Sequence, residues 1–138
     1  MTFPDNCLRG ISAPDQLEEG NSVSSSAFNF SDLVRDDGWR DLSINWHDDE
    51  GAIQVLLNQK KADGEIQFRV GYAVIPREEL DHLIKQPTVN GMLTYERHQI
   101  DNNPYHGNIL VKGNLPKPTI RKLQAGLALL VSAVFRRP

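Results

Sequence analysis

The sequence predicts one α+β domain: a mixed or mostly antiparallel sheet packed by a long C-terminal helix and two shorter helices. Three observations lead there. Residues 41–46 and 66–74 alternate apolar and polar side chains with the period of a strand. Ile120, Leu123, Leu127, Leu130, Val131 and Val134 recur at helical spacing. Strands and helices are interspersed without a strict βαβ alternation, which disfavours an all-parallel sheet. The 138 residues match the usual size of one domain, and a hydrophobic content of 39% supplies a core without staples.

Residues 1–38 read as an irregular segment packed on the body, and residues 39–138 as the α+β core. The first part is broken by Pro4, Gly10, Pro14 and Gly20, yet Leu8, Ile11, Val23, Phe28 and Phe30 are more apolar than a free tail requires. Cys7–Ile11 and Val23–Phe28 are its predicted strands. Leu42, Ile44 and Trp46 then alternate with Asp41, Ser43 and Asn45 as a half-buried strand. Asp48 is the expected N-cap of a helix through Ala52, Ile53, Leu56 and Leu57, running to about Lys61 before Asp63-Gly64. Ile66–Val74 is the strongest strand signal and is expected at the centre of the sheet.

Pro76 ends that strand and opens a short helix closed by Pro87. Leu93–Gln99 and Gly107–Lys112 flank Asp101-Asn102-Asn103-Pro104, whose Asx side chains and fixed proline φ favour a hairpin turn. The last helix is predicted from Pro118 to Phe135, lying across one face of the sheet.

The single cysteine, Cys7, excludes an internal disulfide framework and a Cys-based zinc site, and suits a reducing compartment. No run approaches the roughly 18 apolar residues of a membrane span, and Met1–Asn6 lacks the regions of a signal peptide, so a cytoplasmic protein is expected. The net charge of −3 carries no global basic excess for nucleic-acid binding. Lys117, Arg121, Lys122, Arg136 and Arg137 make only the C-terminal segment basic. There is no GxxxxGK[ST], GxGxxG or GxSxG motif, and His47, His82 and His98 lack metal-ligand spacing. No metal and no cofactor is expected.

One polar constellation exceeds what the fold requires. Asn103-Pro104-Tyr105-His106-Gly107-Asn108 sets a histidine at the start of a strand, beside a glycine that admits a close neighbour. His106 is the candidate catalytic acid or base, with Tyr105, Asn103 and Asn108 as ligand-binding candidates. The plainer alternative is a histidine bonded to backbone at the turn. Arg9, on an otherwise apolar strand, must find an anionic or carbonyl partner. Ser24, Ser26 and Ser43 complete the candidate ligand-binding set.

Arg9-Gly10, Ser24-Ser25-Ser26-Ala27-Phe28, Ser43-Ile44-Asn45 and Asn103-Pro104-Tyr105-His106 follow one another in an order that resembles a family of small bacterial proteins. That family carries an arginine strand, an SSAF segment, an SV[ND] strand and an NPaH turn. Gly107 stands where the family pattern has alanine. The resemblance brings no reaction with it. Three readings stay open: an accessory protein-interaction module of a multi-protein system, with Phe28, Phe30, Trp39 or Trp46 as anchors; a small enzyme or binding protein for a nucleotide-like or phosphate-containing ligand, with Arg9 and His106 in its cleft; and a nucleic-acid binder using the basic last helix.

Overall fold

The computed structural model describes residues 2–20 and 22–138, so Met1 and Asn21 of the N-terminal segment lie outside it. Six strands form one sheet: β1 (Asn6–Ile11), β2 (Trp39–Trp46), β3 (Gly71–Pro76), β4 (Leu93–Arg97), β5 (His106–Lys112) and β6 (Ala133–Arg136). Their order is β4-β5-β2-β1-β3-β6, and every neighbouring pair is antiparallel. Three helices join them: α1 (Gly51–Asn58), α2 (Arg77–Lys85) and α3 (Lys117–Leu129). The chain is therefore α+β.

Alternation along β2 decides the faces. Leu42, Ile44 and Trp46 enter the main core with Cys7, Ala73, Ile75, Ile109 and Val111, under Leu80 of α2 and Ile120, Leu123 and Leu127 of α3. The opposite face is not bare, as coverage of one face alone would require. There α1 brings Ala52 and Leu56 onto Leu8 and Phe68 in a second, smaller cluster. Trp46, wholly buried, donates its indole N–H to Glu96 O at 3.1 Å. Its ring fits because Gly107 faces it: a Cβ there would overlap Nε1 and stand 2.6 Å from Glu96 O. This is the close neighbour that the glycine beside His106 admits.

The sheet is joined weakly at its middle. β2 pairs with β5 from Trp39↔Lys112 to Asn45↔His106, and β1 with β3 from Asn6↔Pro76 to Ile11↔Gly71. β1 meets β2 only at Cys7↔Trp46 and Leu8↔Asn45. Beyond that point the two halves separate along a seam.

Several elements differ from the sequence reading. Val23–Phe28 is not a strand: Ser24 Oγ accepts the Ser26 N–H at 3.1 Å and caps a 3₁₀ turn over Ser25–Phe28, a local bond that competes with a ladder. The alternation of Ile66–Val74 exceeds the strand, which starts at Gly71 (φ 151°) and stands fifth in the sheet order, not at its centre. Residues 66–70 leave the sheet so that the Phe68 ring can lie over Gly10, where a Cβ would overlap it. The last helix stops at Leu129. After a turn, Ala133–Arg136 adds to β3, whose free edge takes a segment rich in β-branched and aromatic residues. α1 starts at Gly51, whose N–H is accepted by Asp49 Oδ1 at 2.8 Å, while Asp48 forms a bidentate pair with Arg97. The β4–β5 hairpin and α2 lie where the sequence places them, with Asn102 at φ 68° in the hairpin turn.

Candidate anion-binding cleft

Arg9 occupies the seam. Continuing the β1–β2 register would bring Gly10 opposite Ser43, and Ser43 O would accept a backbone N–H. Instead it accepts from Arg9 Nη1 at 2.8 Å, and Arg9 Nε donates to Ala27 O at 2.8 Å. The guanidinium thus acts as a strut between β1, β2 and the 3₁₀ turn. Both partners are neutral carbonyls, and no carboxylate pairs with Arg9 among the described residues. Arg9 Nη2 has no protein partner among them. The residue is half-buried and its Nη1 contact is exposed, while partial burial of the guanidinium lowers its pKa to about 10. It is therefore a cation at neutral pH whose charge the protein leaves uncompensated.

A cleft of about 450 Å³ opens onto this strut. Arg9, Lys61 and Arg69 supply three cations to it, Gln59 and Gln67 two side-chain amides, Ser12 and Ser43 two hydroxyls, and Phe68 an apolar surface. Among the described residues no carboxylate lines it. The exposed Asp63 stands 3.8 Å from Lys61 Nζ, a distance at which solvent screens the pair strongly. Arg69 makes no ion pair among the described residues.

The arm carrying Lys61 and Gln67 is built by local chemistry. Gly64 turns it at φ 88°, Asp63 Oδ1 accepts the Glu65 N–H at 2.9 Å, and Lys61 N–H donates to Glu65 O at 2.8 Å. Gln67 N–H then bonds Gln59 O at 2.9 Å, and Gln59 Nε2 donates to Gln67 Oε1 at 3.2 Å.

His106 reaches the cleft through Ser43 and does not line it. Its Nδ1 lies 2.7 Å from His98 O; since a carbonyl only accepts, Nδ1 carries the proton. Nε2 is then the acceptor, 3.3 Å from Ser43 Oγ, and the serine hydroxyl donates to it. Burial pushes the His106 pKa below the usual histidine value, so the ring is neutral at pH 7. Both readings of this histidine meet in one residue: one nitrogen is bonded to backbone, the other is offered to a serine.

The remaining candidates divide. Asn108 stands opposite Ser43 in the register, but its Nδ2 donates to Glu96 Oε2 at 2.8 Å, and Glu96 is held by Arg35 at 2.8 Å. Asn103, buried, donates to Asn45 Oδ1 at 2.8 Å, and Asn45 in turn donates to Ala52 O at 3.0 Å, which ties the hairpin turn to β2 and α1. Tyr105 donates to Asp49 Oδ1 at 2.8 Å beside the Asp48–Arg97 pair, away from the cleft. Ser24 and Ser26 bond each other at 2.9 Å. Their segment serves the cleft through the Ala27 carbonyl.

The sequence reading missed Gln59, Lys61, Gln67 and Arg69, because only the tertiary path of the 59–69 arm brings them to Arg9. Their signal was the Asp63-Gly64 turn flanked by cations. The basic C-terminal residues do not share one helix: Lys117, Arg121 and Lys122 lie on α3, Arg136 on β6, and Arg137 beyond it is bound to Phe68 O at 2.8 Å and to Leu57 O. Phe28, Phe30 and Trp46 are core residues, so of the four aromatic anchors only Trp39 is partly accessible.

Among the described residues no three His, Cys, Asp or Glu side chains stand together as a metal site, and no helix is long and apolar enough to cross a membrane. Comparison with protein-family models, with curated proteins and with solved structures finds no match. The class reached is thus structural: an α+β domain with a split antiparallel sheet and a cationic cleft at the split.

Proposed function

We propose that the protein binds a small phosphate-containing ligand in the cleft at the seam, with Arg9 as the anion anchor. The observation that carries this reading is the uncompensated charge of Arg9. A half-buried guanidinium bonded only to neutral carbonyls has its charge and its free, accessible Nη2 to offer, and a phosphate oxygen there forms a charge-assisted hydrogen bond. Lys61 and Arg69 add charge at the rim, and the side-chain N–H groups of Gln67 offer hydrogen bonds to further ligand oxygens. Residence in the cytoplasm belongs to this reading, since phosphorylated metabolites and a reduced, buried Cys7 both suit that setting.

Calorimetric titration with inorganic phosphate and with a nucleoside monophosphate tests the reading, using wild type and Arg9→Gln variants checked for folding by circular dichroism. Removing one charge-assisted hydrogen bond of about 1.5–3 kcal/mol predicts roughly a 10- to 100-fold loss of affinity. Equal affinity in a folded Arg9→Gln variant excludes Arg9 as the anchor.

A second reading, docking within a bacterial multi-protein system, is favoured by a different observation. Leu129, at the end of α3, and Phe135, on the edge strand β6, are 86% and 51% exposed, and an edge strand carrying an exposed apolar side chain suits strand addition. Pull-down with tagged wild type and a Leu129→Lys, Phe135→Lys variant separates the readings: a partner lost only with these changes supports docking, independently of phosphate.

A further inference from the structure

We propose that Ser43 is a nucleophile for phosphoryl transfer and that His106 is its base. The inference rests on the cleft reading above and adds a reaction to it. Ser43 is the residue at which the cation and the histidine meet. Its carbonyl is fixed by Arg9 Nη1 at 2.8 Å, and its hydroxyl is directed at His106 Nε2 at 3.3 Å. An exposed serine on a strand ordinarily gives its hydroxyl to water. Here the hydroxyl faces a neutral imidazole whose other nitrogen is locked by His98 O at 2.7 Å, so among the described residues the lone pair of Nε2 is presented to Ser43 alone. Nucleophile, base and a third group orienting the base form the arrangement that activates a serine, and a 3.3 Å separation is within the looser range of ligand-free sites.

The other candidate nucleophiles are occupied or buried: Ser12, the second serine lining the cleft, gives its hydroxyl to Gln16 Oε1 at 3.3 Å. Ser24 and Ser26 bond each other, Tyr105 is held by Asp49, and the Cys7 thiol is fully buried in the core. Phosphorus is the favoured electrophile because the serine shares its cleft with Arg9, Lys61 and Arg69. Cations near a transferring phosphoryl group stabilise the charge spread over its oxygens as the leaving group departs.

The step balances in two halves. Ser43 Oγ forms a bond to phosphorus of a phosphomonoester while the bond from phosphorus to the ester oxygen breaks. His106 Nε2 takes the serine proton and returns it to the departing alkoxide or phenoxide. Water then attacks phosphoserine 43 and passes a proton to His106; the Ser43–phosphorus bond breaks, and His106 protonates Oγ as phosphate leaves. No oxidant, reductant or second substrate beyond water is needed.

The test uses the full chain with p-nitrophenyl phosphate, quenched in acid during turnover, and peptide mass spectrometry to locate covalent phosphate. Phosphate on Ser43 is expected. Release of p-nitrophenolate should fall at least about 100-fold in Ser43→Ala and in His106→Gln. Inorganic phosphate binding to the wild type is measured alongside by calorimetry. Wild-type protein that binds inorganic phosphate but carries no label on Ser43 overturns the nucleophile and leaves the binding cleft standing. Wild-type protein that does not bind phosphate overturns both. Since the decisive readings come from the wild type, they hold even where a variant fails to fold.

Discussion

Gly107→Ala perturbs the packing that sets His106 in place. The new Cβ would overlap the Trp46 indole at Nε1, stand 2.7 Å from its Cδ1 and lie 2.6 Å from the backbone oxygen of Glu96. The indole is fully buried and the oxygen belongs to a paired strand, so neither yields freely. Overpacking of this kind costs about 1–3 kcal/mol. Displacing the indole also strains its bond to Glu96 O, worth about 1 kcal/mol. The sum, about 2–4 kcal/mol, corresponds to a fall in Tm of roughly 6–20 °C for a domain of this size. Thermal melts followed by circular dichroism and by tryptophan fluorescence measure it. Trp46→Phe should relieve part of the clash, so the double variant should lose less than the sum of the single losses. A Gly107→Ala variant melting within about 1 °C of wild type would refute the packing argument.

The other predictions address the site and the core. His106 has its folded pKa lowered by burial, so below the unfolded value of about 6.5 the unfolded chain binds the extra proton; stability should be full above that pH and decline as pH falls. Chemical denaturation between pH 5 and pH 8 (roughly the histidine range) should show this decline in wild type and a flatter profile in His106→Gln. Burial pushes the Cys7 thiol up to about 12, so a thiol reagent should leave it unmodified in the native protein and label it only on unfolding. Arg69 is exposed and makes no ion pair among the described residues, so Arg69→Ala should change stability by less than about 0.5 kcal/mol while weakening phosphate binding several-fold. A stability loss without an affinity loss would contradict its place in the cleft.

The parts of the fold legible in the sequence are those where local pattern and tertiary burial agree. Leu42, Ile44 and Trp46 alternate because one face of β2 is core, and the Asx-rich turn before His106 closes a hairpin through local bonds, with Asn103 Oδ1 accepting the Tyr105 N–H and Asn103 pairing with Ile100. Pattern fails where an apolar residue is buried for another reason. Phe68 extends the alternation of β3 backwards, yet it is buried by lying over Gly10 and not by joining a ladder. The helical stripe of α3 runs on through Val131 and Val134, yet the open edge of β3 outweighs helix propensity there.

At the site, Arg9, Ser43 and His106 were legible as polar residues on strands that otherwise build the core. Their convergence depends on the seam between β1 and β2, which no local pattern encodes. Ser24 and Ser26 drew attention as a serine run, but their hydroxyls cap their own turn and the neighbouring Ala27 carbonyl carries the contact.

The most direct test of the account is a titration of isotopically labelled protein with inorganic phosphate, observed by NMR at the Arg9 side-chain Nε–H and at the amides of Ser43, Lys61 and Gln67. Saturable shifts centred on these groups, absent from the amides of α3, are the predicted result. Shifts that do not saturate, or that gather on Lys117, Arg121 and Lys122 instead, would contradict an anion site at the seam.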